Sequence, residues 1–194
     1  MTTQQLETHI QSTSIPAVNS TEVVKAEDGS EFVLVEFSGA TFTGVDSSDD
    51  IGLLSSVEGN TVNFSSSFSV PDGGPSPIAM ISWLEAHSQA PFGRYSIDPQ
   101  SGDMRVTGQL PLFAADSGSD LIEWGLRRVI HTFYVGEINV KANTSIRSAV
   151  DDGIITDEEA NRKIEQFAEE AHKLIGLSDE DPSDSSNEFA KSSI

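Results

Sequence analysis

The sequence predicts an α+β protein: a mainly antiparallel sheet with helices on one face, plus a C-terminal helical extension. Three observations predict it. Val62, Phe64, Ser66, Phe68 and Val70 alternate strictly with Asn63, Ser65, Ser67 and Ser69, the mark of a half-buried strand with one polar face. Ile122, Leu126, Val129, Ile130 and Phe133 repeat with the rhythm of one helix face. Between these segments the order runs strands, helix, hairpin, helix, which favours antiparallel pairing over parallel crossovers.

In chain order, residues 1–20 form a polar N-terminal arm in which Leu6 and Ile10 can share one face of a short helix ended by Pro16. From Thr21 to residue 142 the α+β body follows. Val23-Val24 and Phe32 to Phe37 flank a Glu27-Asp28-Gly29-Ser30 turn; Ala40 to Val45 reads as a further extended piece. Ile51 to Val57 and Thr61 to Val70 flank Glu58-Gly59-Asn60. Ser76 and Pro77 open a helix carrying Ile78, Ile81 and Leu84, with Met80 and Trp83 beside them. A Pro91-Phe92-Gly93 corner leads to a hairpin, Tyr95/Ile97 against Met104/Val106, around Pro99-Gln100-Ser101-Gly102. Asp120 and Glu123 have capping-box spacing at the start of the second long helix. Gly125 within that helix suggests the close approach of a strand or a neighbouring chain.

Beyond Lys141 the composition shifts, and residues 143–177 predict the helical extension. Thr156 with Glu159 makes a capping box, acids crowd the first turn, and Gly176 closes the helix. Its narrow stripe of Ile164, Phe167, Ala168, Ala171 and Leu174 calls for docking on the body or on a second subunit. Residues 178–194, rich in Ser, Asp and Glu, predict a disordered acidic tail.

The 31 acidic residues against 11 basic ones give a formal net charge of −20. That field repels phosphate backbones and anionic lipid heads, so the expectation is no nucleic-acid and no membrane partner. It suits a protein partner with basic or extended segments. The absence of cysteine excludes disulfides, thiolate catalysis and Cys-ligated metal within this chain. The N-terminus carries no basic and apolar signal pattern, and no apolar run is long enough to span a bilayer, so a cytoplasmic location is expected.

Chemistry-bearing patterns are weak. His9, His87, His131 and His172 show no zinc-binding spacing, and structural roles account for them. Asp46-x-Ser48-x-Asp50 begins like a calcium loop, but Gly52 and Glu58 each fall one place late. Asp116-Ser117-Gly118-Ser119-Asp120 lacks the G-x-S-x-G elbow of a serine hydrolase. Asp72-Gly73-Gly74 leads into Pro75 with no phosphate-binding lysine. No catalytic, cofactor-binding or metal residue is therefore expected, and no enzyme activity. Four large aromatics, Trp83, Trp124, Phe133 and Phe167, are the candidate partner-binding or interface residues.

The helix I-A-M-I-S-W-L-E-A-H-S, the corner A-P-F-G-R-Y from Ala90 to Tyr95, the D-P-Q-S-G-D-M turn and the Q-L-P-L ending at Leu112 together resemble the YbjN-like family. That resemblance implies a type III secretion chaperone-like fold in a non-catalytic, commonly dimeric protein that binds another polypeptide or acts in regulation. Asp152 to Glu159 is similar to the start of a SHOCT-type oligomerisation helix. Two readings follow: a chaperone-like or regulatory homodimer that binds protein, or an assembly protein oligomerising through its C-terminal helix. A hydrolase of unrecognised type is the third.

Overall fold

The computed structural model describes residues 1–39, 50–68, 92–97, 103–112, 118–141 and 146–176. The Ala40–Val45 strand, the Ser76 helix with Trp83, the Pro99–Gly102 turn and the acidic tail lie outside the described residues.

The described elements are α1 (Thr3–Gln11), β1 (Val18–Lys25), β2 (Glu31–Ser38), β3 (Asp50–Glu58), β4 (Thr61–Phe68), β5 (Arg94–Ile97), β6 (Met104–Pro111), α2 (Ser119–Lys141), α3 (Arg147–Asp151) and α4 (Asp157–Ile175). The six strands form one antiparallel sheet in the order β1-β2-β3-β4-β6-β5. Both turns predicted from Gly29 and Gly59 are present, each glycine at positive φ, where a side chain would be strained.

Because strand side chains alternate, successive rows across the sheet face opposite ways. The row Thr21–Val35–Leu53–Ser66–Val106–Tyr95 crosses the whole sheet on the inner face, and its four central members are buried. The next row, Glu22–Leu34–Leu54–Ser65–Thr107–Arg94, crosses on the outer face, where Leu54 is 43% exposed. Among the described residues the helices cover the inner face alone, as the alternation at Val62–Phe68 predicts.

The core is continuous from end to end. Phe37, Val62, Phe64, Val106 and Leu110 of the sheet meet Ile122, Leu126, Val129, Ile130 and Phe133 of α2 in one buried cluster. Leu6 and Ile10 join that cluster, so α1 is an integral helix rather than a loose arm. Its start is fixed by a capping box between Thr2 and Gln5. Residues 18–20, assigned to the arm from sequence, are the first residues of β1, with an irregularity in register between Val18 and Ser20.

The α4 helix forms where its capping signals place it: Thr156 and Glu159 bond reciprocally, and Gly176 ends the helix in the left-handed conformation. Its apolar stripe, Ala160, Phe167, Ala171 and Ile175, packs into the same cluster from the far side of α2. Of the two docking choices left open by the sequence, the helix takes the body of its own chain. The architecture is thus a sheet, a layer of α1 and α2, and α4 outside α2.

Candidate functional site

Three features of the described structure bear on function: the exposed aromatic at the β5 end, the seams that lock the helices to the sheet, and the open strand at the opposite edge.

The corner ahead of β5 is built against α2. Gly93 sits at φ 122°, and a Cβ there would lie 3.0 Å from the Thr132 side chain. The Thr132 hydroxyl lies 2.8 Å from the Phe92 carbonyl and 2.9 Å from that of Arg128, while the Tyr95 hydroxyl donates to the Thr132 carbonyl at 2.5 Å. The Phe-Gly-Arg-Tyr string therefore encodes a docking turn, with Gly93 supplying the conformation and Tyr95 the anchor. Burial of the Tyr95 phenol pushes its pKa well above the usual tyrosine range.

The sequence-predicted aromatics fall in different places. Trp124 is 44% exposed and meets Phe92 edge-on with centroids 5.2 Å apart. Phe133 is 1% exposed, set edge-on against Phe37 at 5.4 Å. Phe167 is likewise 1% exposed, in the seam between α2 and α4. These two phenylalanines are core residues here, because both sides of α2 are covered and α4 turns its apolar stripe inward. Trp83 lies outside the described residues. With the stripe of α4 packed within the chain, assembly through that helix has no open apolar face among the described residues to use.

A second seam joins α2, α4 and the loop after α1. Glu123 lies midway: its carboxylate accepts from the Ser14 hydroxyl at 2.8 Å and amide at 3.2 Å, and pairs with Arg127 at 2.5 Å. Arg127 also donates to the carbonyl of Ile175, the last residue of α4. Nearby, the Ala17 amide donates to the Leu174 carbonyl at 2.7 Å. Sequence spacing assigns Glu123 to a capping box with Asp120; instead α2 begins at Ser119 and Glu123 ties three segments together. Partial burial pushes the Glu123 carboxyl upward, and the bonds from Ser14 and Arg127 outweigh it, leaving a lowered pKa.

The histidines missing a metal spacing in sequence include one pair that meets: the His131 and His172 rings, on α2 and α4, are 5.8 Å apart. Among the described residues no group of three or more His, Asp or Glu is placed to hold a metal ion. No described helix is long and apolar enough to cross a membrane.

The third feature is β1. It runs for eight residues and, among the described residues, pairs with β2 alone, so one row of its backbone groups faces outward. Glu22 is exposed on it, and the adjoining Glu27-Asp28 turn is exposed too. Its one cation, Lys25, bridges to Glu31 at 2.9 Å. Sequence reasoning did not single out this edge, since edge position depends on long-range strand order.

Among the described residues, fold and surface together define an α+β sheet-and-helix protein with one covered sheet face, one open face and an acidic open edge. No protein-family model matches the chain, and no curated protein matches it in sequence. Among solved structures it is similar to the crystal structure of YbjN, a candidate transcription regulator from E. coli. The two are 15% identical, the match covers 64% of this chain and 83% of that one, and the TM-score is 0.40. YbjN shares its name with the family that the I-A-M-I-S-W-L-E-A-H-S segment, the Ala90–Tyr95 corner, the D-P-Q-S-G-D-M turn and the Q-L-P-L ending together resemble.

Proposed function

We propose that the chain is a non-catalytic protein-binding module, chaperone-like or regulatory, working as a homodimer and holding an extended basic segment of a partner by strand addition to β1. The observation that supports this reading most directly is the open eight-residue edge with acidic residues at Glu22, Glu27 and Asp28. An added strand gains main-chain hydrogen bonds from such an edge, and alternate side chains give it specificity. The net charge of −20 draws a cationic segment and repels an acidic one.

Backbone hydrogen exchange on the full chain tests the reading, using a peptide of alternating Lys and Val and its Glu/Val counterpart. Strand addition slows exchange of the outward amides of β1 with the Lys/Val peptide only. Binding that leaves β1 unchanged, or equal binding of both peptides, contradicts it.

A further inference from the structure

The outer face of the sheet carries a pattern of which the strand-addition reading uses Glu22 alone. In the row Glu22–Leu34–Leu54–Ser65–Thr107–Arg94, an acid stands on β1 and an arginine on β5, at opposite edges of the sheet. One outer row along, Ser20–Glu36–Gly52 occupies β1 to β3, and Ser67–Arg105–Ser96 occupies β4, β6 and β5. Here the acid is on β2 and the arginine on β6. Each of these two acids therefore has an arginine on the strand equally far from the middle of the sheet, at the same level along the strands, while Glu58 at the end of β3 has Thr61 as its counterpart.

We propose that this outer face is the interface between two copies of the chain, stacked face to face about a two-fold axis that runs parallel to the strands between β3 and β4. Such an axis lays β1 over the partner's β5, β2 over its β6 and β3 over its β4. Glu22 then faces Arg94 of the partner subunit, and Glu36 faces Arg105 of the partner subunit. Each pair occurs twice, as an isologous contact requires. Leu54, exposed on its own chain, flanks the axis beside its counterpart, with Leu34 and the half-buried Phe32 on the same side. Stacked sheets lie ~10 Å apart, a gap that glutamate and arginine side chains span together. The other in-plane axis, perpendicular to the strands, sets Glu22 on Glu22 and Arg94 on Arg94, so charge selects between the two.

Size agrees with this assignment. Strands ~4.8 Å apart with ~3.3 Å per residue give the sheet, four strands of eight residues with β3 of nine and β5 of four, a footprint of roughly 700 Å². A standard interface buries about 800 Å² per partner. Serines, threonines and amides fill the remainder of the face, including the Gln109–Asn63 hydrogen bond at 3.2 Å. The contact is thus polar and its strength salt-dependent, as in a dimer that exchanges subunits.

The inference rests on the proposed reading only in taking the chain to be a homodimer; the peptide experiment on β1 can fail without it, and the reverse. Two doubly reversed variants of the full chain test it: one with Glu22→Arg and Glu36→Arg, the other with Arg94→Glu and Arg105→Glu. Sedimentation equilibrium is expected to show a wild-type dimer, and roughly a tenfold or greater weakening in each variant alone. Mixed one to one, the variants restore wild-type affinity, because every reversed acid now meets a reversed arginine. Glu22, Arg94 and Arg105 are exposed, and Glu36 is half-buried with its carboxylate accepting from the Ser20 hydroxyl, so circular dichroism should show both variants folded. A wild-type monomer at all concentrations, a dimer indifferent to either reversal, or no rescue on mixing would overturn the proposal.

Discussion

Arg127 donates its guanidinium to the main-chain carbonyl of Ile175, joining the middle of α2 to the last turn of α4. The bond satisfies a helix C-terminal carbonyl and sets a cation where the helix dipole favours one. The same guanidinium pairs with Glu123, which holds the loop after α1 through Ser14.

Arg127→Met is accordingly expected to destabilise the fold by about 2 kcal/mol, since it leaves a partly buried carboxylate and a helix-end carbonyl without their donor. Urea unfolding measures the loss, and hydrogen exchange should place the first opening at the end of α4. An effect confined to a few tenths of a kcal/mol would mean the seam does not secure the helix.

Acid should loosen the same seam. The lowered pKa of Glu123 means that the folded state favours its charged form, so this stabilisation is present above the unfolded value of about 4.3 and fades as pH falls through the folded one. Glu123→Gln should be less stable than wild type at neutral pH and converge with it in acid. Parallel stability curves for the two proteins would contradict this.

Alkali acts through the chain's two tyrosines. Burial pushes both phenols up; for Tyr134 the nearby Glu137 and Glu170 add to it. Tyr134 also donates to the Ser38 carbonyl at 2.6 Å. A raised folded pKa gives stability that is complete below the unfolded value of about 10 and declines as pH rises beyond it. Tyrosinate absorbance should therefore appear together with loss of near-ultraviolet circular dichroism. Tyrosinate forming near pH ~10 in an intact fold would show the hydroxyls to be open to solvent.

Two glycines separate close packing from helix propensity. A Cβ on Gly108 would come within 2.5 Å of Val129 and 2.8 Å of Phe92, so Gly108→Ala should destabilise by about 1–3 kcal/mol. At Gly125 the added atom meets Leu110 at 3.0 Å and Phe64 at 3.4 Å, and the helix gains ~1 kcal/mol from alanine. Gly125→Ala should thus be nearly neutral. Thermal unfolding of both variants checks the order, and equal losses would contradict it.

Much of this fold was legible because its signals are local. The alternation from Val62 gives β4 its two faces, and Thr156, Glu159 and Gly176 bound α4 with their own side chains and backbone. Gly125 announced a close approach, and the sheet at Leu110 and Phe64 makes it. What escaped depends on distant partners. Glu123 has the spacing of a cap, but Ser14 and Arg127 take its carboxylate. Phe133 and Phe167 resemble surface anchors until α2 is seen to be covered on two sides. The outer face of β1, β2, β6 and β5 acquires its paired charges only when strands distant in sequence are set in register.

Among the described residues the helices seal one face of the sheet, and the proposed interface takes the other. Because the chain has no cysteine, Leu53→Cys and Leu54→Cys can be compared by thiol labelling without background. Their neighbouring positions on β3 point to opposite faces. The thiol at position 54 should react fast in dilute solution and slow down as concentration rises, while that at 53 should react only through unfolding. Equal labelling of the two, or faster labelling at 53, would contradict the account.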